Sequence, residues 1–260
     1  MNTEVSRPVL KGKKALVIGI ANAHSIAYGC ARAFREVGAE LAVTYLNDKA
    51  KPHVAPLAEE LEASMFMPLD VSRPGELEAT FARIEREWNR LDILVHSIAF
   101  APKEDLQGGL LDCSADGFSV AMDISCHSFI RMARLAAPMM KDGGSMFAMS
   151  YHGAQKVVPN YNVMGPVKAA LEASCRYLAY ELGPRKIRVH AISPGPLKTR
   201  AAGGLKDFDR MLNDAVERSP VGELVDIMDV GFAVAFLATP YGRRLTGQTL
   251  YVDGGINIMA

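Results

Sequence analysis

Seven short apolar runs, at 13–19, 40–45, 64–69, 91–97, 144–149, 188–192 and 249–252, constrain this chain more than any other feature. Each is of strand length and rich in β-branched or other apolar residues, with few charges inside it. Between them lie segments of helical spacing, expected over 26–37, 50–63, 75–89, 115–140, a stretch that carries Lys168 and ends at Leu182, 208–218 and 229–238. A strand that is apolar on both sides must be buried on both. Strands that alternate with helices pair in parallel through crossovers. The expected class is therefore α/β, a doubly wound parallel sheet with helices on both faces, in one domain spanning 1–260.

Composition permits this. Of 260 residues 49% are hydrophobic and 22% charged, enough for a large core and against disorder. Lys+Arg and Asp+Glu are both 29, so there is no basic footprint and no nucleic-acid partner is expected. Cys30, Cys113, Cys126 and Cys175 are scattered without a CxxC spacing. That suits a reduced, cytoplasmic protein and argues against a disulfide framework or zinc. The histidines do not cluster at ligand spacings, and no metal is expected. The segment 11–23 imitates a signal peptide with an Ala-x-Ala site, but its apolar core is short and it reads as a buried strand and turn. No run approaches the ~18 apolar residues of a membrane span, so no membrane partner is expected.

The first strand, turn and helix form a nucleotide-binding candidate of Rossmann-like type. The turn Gly19-Ile20-Ala21-Asn22-Ala23-His24-Ser25 aims backbone N–H groups at whatever lies above the helix N-terminus, which favours a diphosphate. Ala23 and Ser25 stand where a G-x-G-x-x-G would have glycines. Ser25 would donate to phosphate, cap the helix, or do both. The second strand ends Thr44-Tyr45-Leu46-Asn47-Asp48 with no Arg to accept a 2′-phosphate, so NADH is expected over NADPH. Asp70, before Val71, would bind an adenine amino group or serve only as a turn residue. Ser97, Ile98 and Ala99 end the fourth strand, where small residues would let a ribose approach. His96 before them would line the site or simply be packed.

Tyr161 and Lys168 are separated by six residues. On one continuous helix this offset is close to two turns, which puts both side chains on one face. A neighbouring ammonium would favour phenolate, lowering the phenol from its usual ~10, and would make the O–H a better donor to a developing oxyanion. Pro166 lies between them and resists a helix interior, so this helix either begins late or bends. His152 and the basic residues Lys198, Arg200 and Lys206 lie near the presumed site. The basic loop would be either a solvated loop or a lid with a basic mouth.

With these residues in place, the chain resembles the short-chain dehydrogenase/reductases, specifically the divergent branch that contains bacterial enoyl-acyl-carrier-protein reductases. The likeness covers almost the whole chain. The general family carries Tyr-x3-Lys, whereas this chain carries Tyr151-x9-Tyr161-x6-Lys168, the pattern of the branch. The turn 19–27 and the segments 96–102, 160–165 and 192–196 match it too. The resemblance implies reduction by NADH of the C2=C3 double bond of a trans-2-enoyl thioester carried by acyl carrier protein, in fatty acid biosynthesis. Tyr161 would stabilise the enolate oxygen, Lys168 would hold the nicotinamide ribose, and Tyr151 would line the acyl site. Gly19, Ser25, Ile26, Asp70, Val71, Ser97, Ile98, Ala99, Lys168, Pro194, Gly195 and Thr199 would hold the cofactor. Ala101, Tyr151, Tyr161 and Ala201 would meet the substrate, and the loop 199–205 would close over the acyl chain. A homotetramer is implied. The rival readings are a ketoreductase acting on a C=O and a non-catalytic dinucleotide sensor on the same fold.

Overall fold

The computed structural model describes residues 9–197 and 208–259. Seven parallel strands form one sheet: β1 (Lys14–Ile18), β2 (Glu40–Tyr45), β3 (Met65–Pro68), β4 (Ile93–His96), β5 (Gly144–Met149), β6 (Ile187–Pro194) and β7 (Thr249–Val252), in the order β3-β2-β1-β4-β5-β6-β7. The chain runs outward from β1 to β3, then returns to β4 on the other side of β1. Val17 pairs with Val43 on one side and Val95 on the other. The connections diverge there, opening a crevice at the carboxyl ends of the strands where such sheets take ligands.

The continuous apolar reading of the strands has a direct cause. Successive side chains point to opposite faces, and both faces are covered. Leu16 and Ile18 join one core with Phe81, Phe129, Met146 and Leu171. Ala15 and Val17 join a second with Phe34, Val54, Phe147 and Val234. The first core lies under α3 (Glu76–Trp88), α6 (Ser128–Ala136) and α7 (Met164–Leu182). The second lies under α1 (Ile26–Glu36), α2 (Lys51–Glu60) and α9 (Ile227–Ala238). Below the sheet, at its amino edge, the buried carboxylate of Asp92 accepts from Lys13 Nζ, the Lys14 N–H and Arg90, with distances of 3.0, 2.9 and 2.5 Å.

One helical expectation is corrected, and one alternative is settled. The expected helix over 115–140 is divided into α5 (Ala115–Met122), a π turn (Asp123–His127), α6 and a 3-10 turn (Ala137–Met139) that absorbs Pro138. At the π turn two hydroxyls reach outside the helix. Ser125 Oγ accepts from Phe100 N at 2.9 Å and donates to Phe100 O at 3.0 Å. Ser128 Oγ donates to Ile124 O and pairs with His96 Nε2 at 2.7 Å. Bonds of this kind compete with the regular i→i−4 ladder.

The helix that carries Lys168 starts only at Met164. Pro166 therefore stands in its first turn, where a missing N–H costs nothing. Tyr161 precedes the helix, in a turn where Asn160 and Asn162 have φ of 64° and 42°. The short α4 (Lys103–Gln107) was not anticipated. The remaining helix, α8 (Phe208–Arg218), has the expected bounds.

Candidate active site

Gly19 leaves β1 with φ of 112°, a conformation L side chains rarely adopt, and a Cβ there would lie 2.1 Å from the Ser97 carbonyl oxygen. Ser97 N–H in turn donates to Ile18 O at 3.0 Å. The first and fourth strand ends are thus in direct contact across the crevice. Ile98 is half-buried beside them, and Ala99 is exposed.

Ser25 stands at the head of α1, but its hydroxyl does not cap the helix as expected. Oγ turns back and accepts from the N–H groups of Ala21 and Asn22 at 3.0 and 3.1 Å. The tight turn takes up the serine, and no side chain caps the first turn of α1, which begins at the half-buried Ile26. Uncapped N–H groups at the start of an eleven-residue helix are what a diphosphate requires.

Asp70 Oδ1 accepts from both the N–H and the hydroxyl of Ser72, at 3.0 and 2.6 Å. Of its two expected roles, the geometry displays the turn. Val71 is buried, and its carbonyl accepts from Arg131 Nη2 at 3.1 Å. On the other side of the crevice, Pro194 ends β6 and Gly195 N–H donates to Val252 O at 2.8 Å. Thr199, Ala201 and the basic loop with Lys198, Arg200 and Lys206 lie outside the described residues.

The centre is built by the end of β5, the loop after it and the start of α7. Tyr151, two residues past β5, packs edge-on against Tyr161 with ring centroids 5.0 Å apart. Lys168 reaches back from α7 and donates from Nζ to the carbonyl of Met149, the last residue of β5, at 2.7 Å. Asn162 ties the turn outward by donating from Nδ2 to Leu106 O at 2.9 Å and to Gly108 O. Tyr161 is thus joined to Tyr151, and Lys168 to the last residue of β5, and Tyr161 and Lys168 do not share a helical face. Ala101 is half-buried and packs on the same core.

Electrostatics overturn one expectation. The Tyr161 phenol is not lowered by an ammonium. Burial, and Tyr151 beside it, push it well above its usual value. Tyr151 is pushed up to about 12 by burial. Both phenols therefore keep their protons at neutral pH, and what the site offers is an O–H donor. Burial brings the Lys168 ammonium down to about 8, against opposing influences from Cys126, Cys175 and Glu172. His96 is packed: burial, then the charge of Lys168, bring it down to about 3, so it is neutral. Its Nε2 faces Ser128, whose own proton goes to Ile124 O, which makes Nε2 the protonated nitrogen. His152 lies edge-on to Tyr151 at 5.9 Å and is half-buried.

Four residues around the site were missed from sequence. Gly153 makes room for the Tyr161 ring, since a Cβ there would lie 2.5 Å from Tyr161 Cδ1. Ser150 Oγ donates at 2.6 Å to Glu172 Oε1, and Gln155 Nε2 donates at 3.1 Å to Glu172 Oε2. The available signal was the spacing of Glu172, one helical turn beyond Lys168 in an otherwise Ala-rich run.

A family model described as enoyl-(acyl carrier protein) reductase matches residues 19–257. The enoyl-(acyl carrier protein) reductase (NADH) FabI of Salmonella typhimurium is 44% identical over 252 residues, 96% of each chain. The crystal structure of an enoyl-(acyl carrier protein) reductase from Anaplasma phagocytophilum in complex with NAD is 44% identical with a TM-score of 0.93, covering 97% of this chain and 96% of that one. The Bacillus cereus enoyl-acyl carrier protein reductase with NADP+ and an indole naphthyridinone is 41% identical with a TM-score of 0.95, over 97% and 99% of the two chains.

Proposed function

The chain belongs to the enoyl-(acyl carrier protein) reductase family, and we propose that Tyr161, Tyr151 and Lys168 are the residues with which it works, in one reductase domain spanning 1–260. It is an oxidoreductase that reduces the C2=C3 double bond of trans-2-enoyl thioesters on acyl carrier protein, with NADH, in fatty acid synthesis. Bound NADH supplies the hydride that C3 receives. The thioester carbonyl oxygen then gains charge, and the protonated Tyr161 O–H donates to it where it becomes an enolate. A phenol held well above its usual value keeps that proton through the step and stabilises by hydrogen bond, while C2 afterwards takes a proton from solvent water.

Lys168, held to Met149 O, presents its remaining donors to the nicotinamide ribose hydroxyls. Tyr151 lines the acyl site against Tyr161. Gly19, Ser97 and the uncapped turn at Ile26 hold the diphosphate and ribose, with Ser25 bracing the turn from within. Val71 and Asp70 border the adenine, and Pro194, Gly195 and Thr199 the nicotinamide end. Ala101 and Ala201 flank the acyl chain. The observation that carries this reading is the edge-on Tyr151–Tyr161 pair next to the Met149 carbonyl that holds Lys168.

The enzyme works in this reading as a cytoplasmic homotetramer. Its four free cysteines suit a reducing compartment. The outer surfaces of α5, α6 and α7 leave Phe118, Ile130, Tyr177 and Tyr180 exposed, as an interface between copies would require. Sedimentation at micromolar concentration tests the assembly. For the chemistry, Tyr161→Phe is expected to lose turnover and keep NADH binding. Full turnover in that variant would remove Tyr161 from the role.

A further inference from the structure

Lys168 and Glu172 are four residues apart on α7, so they occupy neighbouring positions on one helical face. Both are buried, at 4% and 3% exposure. A carboxylate in such a place is expensive unless its oxygens are bonded. Here both are engaged. Ser150 Oγ meets Oε1 at 2.6 Å and Gln155 Nε2 meets Oε2 at 3.1 Å. Ser150 immediately precedes Tyr151, and Gln155 lies in the loop between Tyr151 and Tyr161. One carboxylate thus grips the chain on both sides of Tyr151.

The same carboxylate lies one helical turn along α7 from the Lys168 ammonium. The groups around Lys168 are Cys126 from the π turn, Cys175 and Glu172 from its own helix, His96 from β4 and the Met149 carbonyl from β5. Burial raises both thiols, so they are uncharged near neutral pH, and His96 is uncharged as well. Among the described residues named around Lys168, Glu172 is the carboxylate.

We propose that Glu172 is a positioning residue for the reduction: it clamps the Ser150–Gln155 turn that carries Tyr151, and it keeps the Lys168 ammonium charged. The inference rests on the roles given above to Tyr151 and Lys168. Glu172 touches neither substrate nor cofactor in it. It acts through residues that do.

The test compares three forms with NADH and a trans-2-enoyl thioester across pH. Glu172→Gln keeps the shape and one acceptor but removes the charge. The alkaline limb of kcat/KM for NADH should then move to lower pH by about one unit, because an ammonium without its carboxylate gives up its proton sooner. Ser150→Ala with Gln155→Ala releases the clamp and leaves the carboxyl group in place. KM for the enoyl thioester should then rise about fivefold to tenfold. A purely structural role would lower the melting temperature and move neither reading. A folded Glu172→Gln enzyme with an unmoved limb overturns the charge role. If that variant does not fold, the double variant decides, and an unchanged KM overturns the proposal. Wild-type enzyme inactive on every enoyl thioester would instead overturn the reading beneath it.

Discussion

Gly153 and Tyr161 lie so close that a Cβ on the glycine would stand 2.5 Å from Tyr161 Cδ1. That ring cannot retreat freely, because Tyr151 packs on it edge-on at 5.0 Å. Gly153→Ala is therefore expected to push the phenol off its position. A displacement of about an ångström at a reacting group costs on the order of a hundredfold. Steady-state kinetics should show kcat down by at least tenfold with NADH binding nearly intact. Wild-type kcat in this variant would mean that the ring position is not critical.

Gly19 carries a second steric constraint. With φ of 112° and the Ser97 carbonyl 2.1 Å from any Cβ, Gly19→Ala must separate the ends of β1 and β4. Loss of NADH binding by more than about tenfold, with a lower melting temperature, is expected. Titration by fluorescence and a thermal melt read the two effects separately.

The Lys168 ammonium, brought to about 8 by burial, gives a pH prediction with two signs. Its proton is lost as pH rises through about 8, so kcat/KM for NADH should fall there. An unfolded lysine titrates near 10.4, so between those values the unfolded chain binds more protons. Lys168's contribution to stability should therefore rise over the interval in which activity falls. Denaturant melts at pH 8 and 9.5 for wild type and Lys168→Met isolate it. A stability contribution that fell in parallel with activity would contradict the assignment.

Asp92 is the main buried charge at the opposite edge of the sheet. Burial pushes its carboxyl up, but Arg90, the Lys14 N–H and Lys13 outweigh it and leave it below the usual carboxylate range. Its stabilisation is present above the unfolded value of ~3.9 and is lost as pH falls from there toward the folded value. Asp92→Asn should cost about 2 kcal/mol at pH 7, the scale of a charged hydrogen bond, and leave kcat unchanged because the site is at the other end of the strands. Chemical denaturation at pH 7 and pH 3 should show the difference shrinking in acid.

Much of the frame was legible because burial on two faces leaves a continuous apolar mark. The runs at 40–45, 144–149 and 249–252 coincide with β2, β5 and β7. What failed was local. The shared helical face of Tyr161 and Lys168 failed where Pro166 signalled a late start or a bend: α7 begins after the tyrosine. The π turn was invisible because Ser125 and Ser128 bond to residues distant in sequence, Phe100 and His96. Reading a lowered phenol from the nearby lysine weighed charge alone, whereas burial dominates at Tyr161. Ser25 has the position of a cap but spends its hydroxyl on Ala21 and Asn22. Gly153 and Glu172 carry no motif, and their roles exist only once β5 and α7 are packed together.

The central claim is reduction of a carbon–carbon double bond by this site. The direct measurement is NADH oxidation followed by absorbance, with crotonyl and longer trans-2-enoyl thioesters, a 3-ketoacyl thioester, and NADPH in parallel. The account predicts oxidation with the enoyl substrates, none with the ketoacyl thioester, and faster turnover with NADH than with NADPH. Oxidation with the ketoacyl thioester alone would contradict it.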